Sequence, residues 1–128
     1  MKVKTKDLKG RALDYVVALV TLSETHILVF CSNQTGQARW SLYSIKLGYY
    51  REIPHYCTWR EGDDIIDREK IMTMWCHTGE WKAVMASSEA KPPYFFRQNG
   101  ANRRTAAMRC YILSKLGEEV EIPDNLLD

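Results

Sequence analysis

The hydrophobic period of this chain changes twice, from about 3.6 residues to two and back again, and that sequence of periods admits few folds. Leu8, Ala12, Val16 and Leu19 recur at helical spacing with Leu13, Val17 and Val20 beside them, while Asp7, Arg11 and Asp14 fall on the opposite face. The pattern predicts a helix over about residues 6–20, with Thr5 as its cap and Asp7 near the positive end of its dipole. Gly10 inside that pattern costs about 1 kcal/mol relative to alanine, so it is expected to permit close approach of another backbone or a partner. The period returns at the far end. Ala106, Cys110 and Leu113 make one apolar row and Ile112 and Leu116 the next, between a Thr105 cap and a Gly117 stop.

Between the two helices the residues favour strands. Ile27 to Phe30, a turn over 32–36 and an alternating run from Ala38 to Ile45 read as one hairpin. Ile71 to Cys76 and Trp81 to Met85, joined through Gly79, read as another. Pro92 and Pro93 stop that strand, and Tyr94 to Phe96 form a last short one before a loop at Asn99 to Asn102. The expected architecture is α+β, an antiparallel sheet of about four to five strands with the N- and C-terminal helices packed on it.

Composition narrows the partners. The 128 residues are 45% apolar, enough for one domain with its own core, and the last few residues are expected to be loosely held. A net charge of +2 argues against binding duplex DNA by bulk charge. No export signal is apparent and no apolar run reaches the roughly 20 residues that cross a bilayer, so a soluble cytoplasmic protein without a membrane partner is expected. Cys31, Cys57, Cys76 and Cys110 lie far apart with no Cys-x-x-Cys pair, which points to reduced, buried thiols.

Three segments carry a family likeness. At the front stand Met1-Lys-Val-Lys-Thr5, Leu8, Gly10 and Ala12-Leu-Asp14 before Tyr15. In the middle runs Tyr56-x-Thr58-Trp59-x-x-Gly62-x-x-Ile65-Ile66. At the end come Ala106 to Cys110, Ser114 to Gly117 and Glu121-Ile-Pro-Asp124. In these segments the chain resembles the NinX-like family of small bacteriophage and prophage proteins. Between residues 19 and 55 it departs from the family pattern, with an apolar run where Gly-rich turns are usual. The resemblance implies a single domain over residues 1–128, made in the bacterial host cytoplasm, whose gene sits among phage recombination and late-regulation genes.

Two segments hold the candidate site. Tyr56 to Glu69 reads as a loop around a flexible Gly62, in which Tyr56 and Trp59 offer rings for stacking, Thr58 and Asp63 fix a polar edge and Arg68 reaches phosphate. Arg103, Arg104 and Arg109, with Arg97 nearby, form a cationic cluster at the start of the last helix, where free backbone amides also favour an anion. The plain alternative is a surface connection pinned by Trp59, Ile65 and Ile66, with Arg109 paired to an acid such as Asp14. Asp63, Asp64, Asp67 and Glu69 lack the spacing of a calcium loop and have no histidine among them, so neither a metal nor a cofactor is expected. Histidines and nucleophiles form no recognised catalytic pattern, and Cys76 and His77 would point to opposite faces of a strand. The reading is a non-catalytic binding protein, a counter-defence sponge for a small nucleotide-type host signal. The alternative is a protein- or nucleic-acid-interaction factor. Exposed aromatics on so small a domain further suggest a homo-oligomer.

Overall fold

The spine of the molecule is α3 (Arg103–Leu116), whose Ala106, Ala107, Met108, Cys110, Tyr111 and Ile112 are all buried. Its small residues let a strand come close. A side chain on Gly100 would put its Cβ 2.6 Å from the Ala106 amide nitrogen, so only glycine fits where the third strand of the neighbouring sheet meets the helix. The computed structural model describes residues 1–32, 38–87 and 92–126.

Among the described residues the order is β1 (Lys2–Lys4), α1 (Gly10–Thr21), β2 (His26–Ser32), β3 (Ala38–Ser44), β4 (Tyr50–Arg51), α2 (Arg60–Arg68), β5 (Met72–Trp75), β6 (Trp81–Ala86), β7 (Phe95–Gly100), α3 and β8 (Glu119–Glu121). Short 3-10 turns occupy Thr5–Asp7 and Asp124–Leu126. All pairings are antiparallel, and the strands divide into a β1-β8 pair, a β2-β3-β4 sheet and a β5-β6-β7 sheet. The α+β class is as expected, but three small sheets replace one. The two hairpins form in the anticipated places, while the turn expected over 32–36 lies, apart from Ser32, outside the described residues, as do the final two positions.

Several local expectations are corrected. Gly10 opens α1 at φ +56° with no atom within 4 Å of where a Cβ would lie, so a left-handed backbone rather than close approach explains it. Thr5 does not cap α1. It is buried, its Oγ1 donates to the Gly117 carbonyl at 2.6 Å and its amide to Glu118 at 2.8 Å, which ties the start of the chain to the end of α3. Asn102 replaces Thr105 as the cap of α3, accepting from the Thr105 amide at 2.8 Å. The loop expected at Asn99 to Asn102 begins later, because β7 runs to Gly100.

Helix α1 is buried from Ala12 through Ala18, since it packs on α3 and meets the first sheet through Tyr15 against Trp40. Asp14 is therefore inside rather than on a solvated face. Helix α2 replaces the anticipated loop, and its Ile65 and Ile66 enter the core beside α3.

Candidate ligand-binding site

Helix α2 begins at a turn in which the Thr58 and Trp59 amides both donate to the His55 carbonyl, at 3.0 and 2.7 Å. Glu61 and Asp63 in its first turn complement the helix dipole. Gly62 is where that turn comes closest to backbone. An added Cβ would lie 2.0 Å from the Tyr56 carbonyl oxygen, so this glycine serves packing and not flexibility.

Across from this turn stands the start of α3. Arg104 grips Asp63 with two bonds, Nε to Oδ1 at 3.0 Å and Nη2 to Oδ2 at 2.7 Å, and its Nη1 donates to the Thr58 carbonyl. Arg103 adds Nη1 to Asp63 Oδ1 at 3.4 Å and Nε to Thr73 Oγ1 at 3.1 Å. The Arg104 hydrogen bonds hold the Asp63 carboxyl below its ordinary range. The fold thus gathers Thr58, Asp63, Arg103 and Arg104 from two distant segments into one cluster.

The other candidates lie apart from it. Tyr56 is buried, and burial pushes its hydroxyl up to about 12. Arg68 donates to the Tyr111 hydroxyl at 3.3 Å and lies over that ring. Arg109 spans to the Leu8 carbonyl at 2.7 Å and the Asn99 carbonyl at 2.8 Å, joining the 3-10 turn to β7. It does not pair with Asp14, whose Oδ1 accepts from the Cys57 amide at 3.3 Å.

Trp59 is 45% exposed and its ring lies 4.3 Å from that of His55, which is itself held by Glu52 at 2.9 Å. His55 also lines a cleft of about 140 Å³ that no residue pattern had indicated. Phe30 and Trp40 form its aromatic wall, with ring centroids 5.5 Å apart, and Trp40 is fixed by its Nε1 donating to Asn125 Oδ1 at 2.8 Å. Arg11 and Arg39 reach the cleft, and neither makes an ion pair with another described residue. Asp14 lines it too, its carboxyl raised by burial against hydrogen bonds from Cys57 and Tyr56. The alternating run from Ala38 to Ile45 had placed Trp40 on a strand. Nothing local connected it to Arg11 or His55.

All four cysteines are free, and burial pushes the Cys57 and Cys110 thiols up to about 12, which makes them poor nucleophiles. Among the described residues no group of His, Cys, Asp and Glu is arranged to hold a metal ion, and no helix is long and apolar enough to cross a membrane.

These features define a small α+β protein with an aromatic cleft at the edge of one sheet and an arginine-carboxylate cluster at the junction of two helices. A family model described as Bacteriophage P22, NinX matches residues 4–115, and the chain belongs to that family. No curated protein matches the chain.

Proposed function

We propose that this phage protein is an accessory binding protein, a sponge that sequesters a small nucleotide-type host immune signal without converting it. The observation that carries the reading is the cleft of Phe30, Trp40, Arg11 and Arg39 beside the exposed ring of Trp59. Its volume of about 140 Å³ is below the roughly 300 Å³ of an ordinary ligand pocket, enough for one ring system and not for a whole nucleotide. In this reading a base enters the cleft and the sugar and phosphate lie outside it, against Trp59 and a guanidinium pair. Arg11 and Arg39 are the nearer pair. Arg103 and Arg104, the pair singled out from sequence, would share their donors between phosphate and Asp63, with Thr58 beside them.

Purified protein incubated with host small-molecule extract and then denatured is expected to release an intact nucleotide, detected by mass spectrometry. A converted product, or nothing retained, would sink the sponge. With the recovered ligand, calorimetry on Trp59→Ala should show binding weakened roughly tenfold to a hundredfold, as stacking worth about 1–3 kcal/mol requires, with an unchanged melting temperature. Paired replacement of Arg11 and Arg39, or of Arg103 and Arg104, by alanine identifies the phosphate contact. Unchanged affinity in both pairs and in Trp59→Ala removes the site.

A further inference from the structure

We propose that the uncovered face of the β5-β6-β7 sheet is a platform for single-stranded nucleic acid. The face follows from the register, because residues directly opposite one another in antiparallel strands share a side. Thr73, Ala83 and Gln98 form one row, and Trp75, Trp81 and Gly100 another. These turn toward α3, as the Arg103 bond to Thr73 and the burial of Ala83 and Gly100 require. The other face then carries Met72, Val84 and Arg97 in one row, Met74, Lys82 and Asn99 in the next, and Ala86 beside Phe95.

This second face combines exposed apolar surface with two cations, and the one acid at its margin, Glu80, is engaged by Asn99. Met72 is 58% exposed, Phe95 50% and Met74 41%. Among the described residues its only charged members are Lys82 and Arg97, both cations, and the Arg97 guanidinium lies 5.6 Å from the centre of the Phe95 ring. Glu80, in the turn before β6, is held at one end by the Asn99 amide at 3.2 Å. Strand β7 is an edge, and Lys6, Arg97 and Arg109, with Glu80 the one acid among them, line an open groove along it. One ring, Phe95, thus stands beside the Arg97 cation at one end of the face, with Lys82 further along it and Met72 and Met74 on the adjoining strand, so that a base can stack while the backbone phosphates meet the two cations.

The charge also discriminates among occupants. A second copy docked face to face about a two-fold axis would bring Lys82 and Arg97 toward their own equivalents, an opposed like-charge contact that phosphate instead neutralises. A duplex keeps its base faces stacked on one another, out of reach of the Phe95 ring. The platform shares no residue with the cleft, so it stands or falls apart from the small-ligand reading.

Fluorescence anisotropy with labelled oligothymidylate, and with a duplex of equal length, tests it. Oligothymidylate is expected to bind more tightly than duplex and to weaken as salt rises. Lys82→Ala/Arg97→Ala should make the slope of log K against log salt shallower by about 1.4, the release expected for two single-strand phosphate contacts. Phe95→Ala should weaken binding roughly tenfold or more with the slope unchanged. The proposal is overturned by no binding at low salt, by duplex binding as tightly as the single strand, or by both variants binding like the parent. It is equally overturned if light scattering shows a dimer that Phe95→Ala turns into a monomer, because a second copy would then occupy the face.

Discussion

Asp14 shows how one residue can be central to a fold and still oppose it. Its carboxylate accepts the Cys57 amide and so anchors the turn leading into α2, yet only 7% of the residue is exposed, and burial raises its pKa. A raised carboxyl binds its proton more tightly in the folded chain than in the unfolded one. Stability therefore falls as pH rises from the unfolded value of about 4 through the folded one, and the loss is complete above it. Asp14→Asn keeps an oxygen for Cys57 and cannot ionise. Thermal melts across pH are expected to show that this variant lacks the decline above about pH 4 and melts higher than the parent at neutral pH. A lower melting temperature at neutral pH would mean that the ionised form, and not only the oxygen, holds the turn. Asp63 behaves oppositely. Its lowered pKa means that the stabilisation from Arg104 is present above the unfolded value and is lost as pH falls through the folded one. As a partly exposed pair it contributes on the order of 0.2–1 kcal/mol.

At the scale of elements, α2 depends on one glycine. Glycine inside a helix ordinarily costs about 1 kcal/mol, so replacement by alanine would stabilise an exposed helix. Gly62 reverses that sign because the added Cβ would meet the Tyr56 carbonyl oxygen at 2.0 Å, and backbone cannot swing aside as a side-chain tip can. Denaturant unfolding of Gly62→Ala is expected to show a loss of at least about 3 kcal/mol, or no folded protein at all. A gain in stability would show that the turn relaxes freely. The same helix marks where sequence stops being legible. Helices α1 and α3 and the two hairpins announce themselves through periods that run for many residues, whereas α2 has nine residues, two buried isoleucines and a Trp59 cap with no side-chain bond. Strands β1 and β8 have three residues each and exist because Lys2 finds Glu121 across nearly the whole chain. Both halves of the Asp63-Arg104 cluster stood out in the sequence as chemistry. Their pairing, and the cleft that joins Arg11 and Trp40 to His55, depend on tertiary packing that no local pattern encodes.

At the scale of the molecule, the two larger sheets differ in what their outer faces can accept. Ile27 stands opposite Tyr43, which stands opposite Tyr50, and the two tyrosine rings lie 4.9 Å apart. Ile27 is 48% exposed and Tyr50 61%, and no charged residue shares their row. A two-fold contact centred on that row buries apolar rings and leaves Arg39, two rows along the same face, away from its own equivalent. We propose that the self-association expected from the sequence uses the β2-β3-β4 sheet. Light scattering at micromolar concentration is expected to give twice the 14.9 kDa chain mass. Ile27→Asp would place a carboxylate against its symmetry mate and should return the protein to a monomer with little change in melting of the isolated chain, while Phe95→Ala should leave the dimer intact. A wild-type monomer refutes self-association, and a dimer indifferent to Ile27→Asp moves the contact to another surface. In such a dimer the two clefts remain open only if Phe30, on the opposite side of β2 from Ile27, and Arg39, on the Tyr43 side of β3, both stay clear of the contact. Ligand stoichiometry measured on dimer and Ile27→Asp monomer should then be the same per chain, and a loss of sites in the dimer would show that the contact covers the cleft.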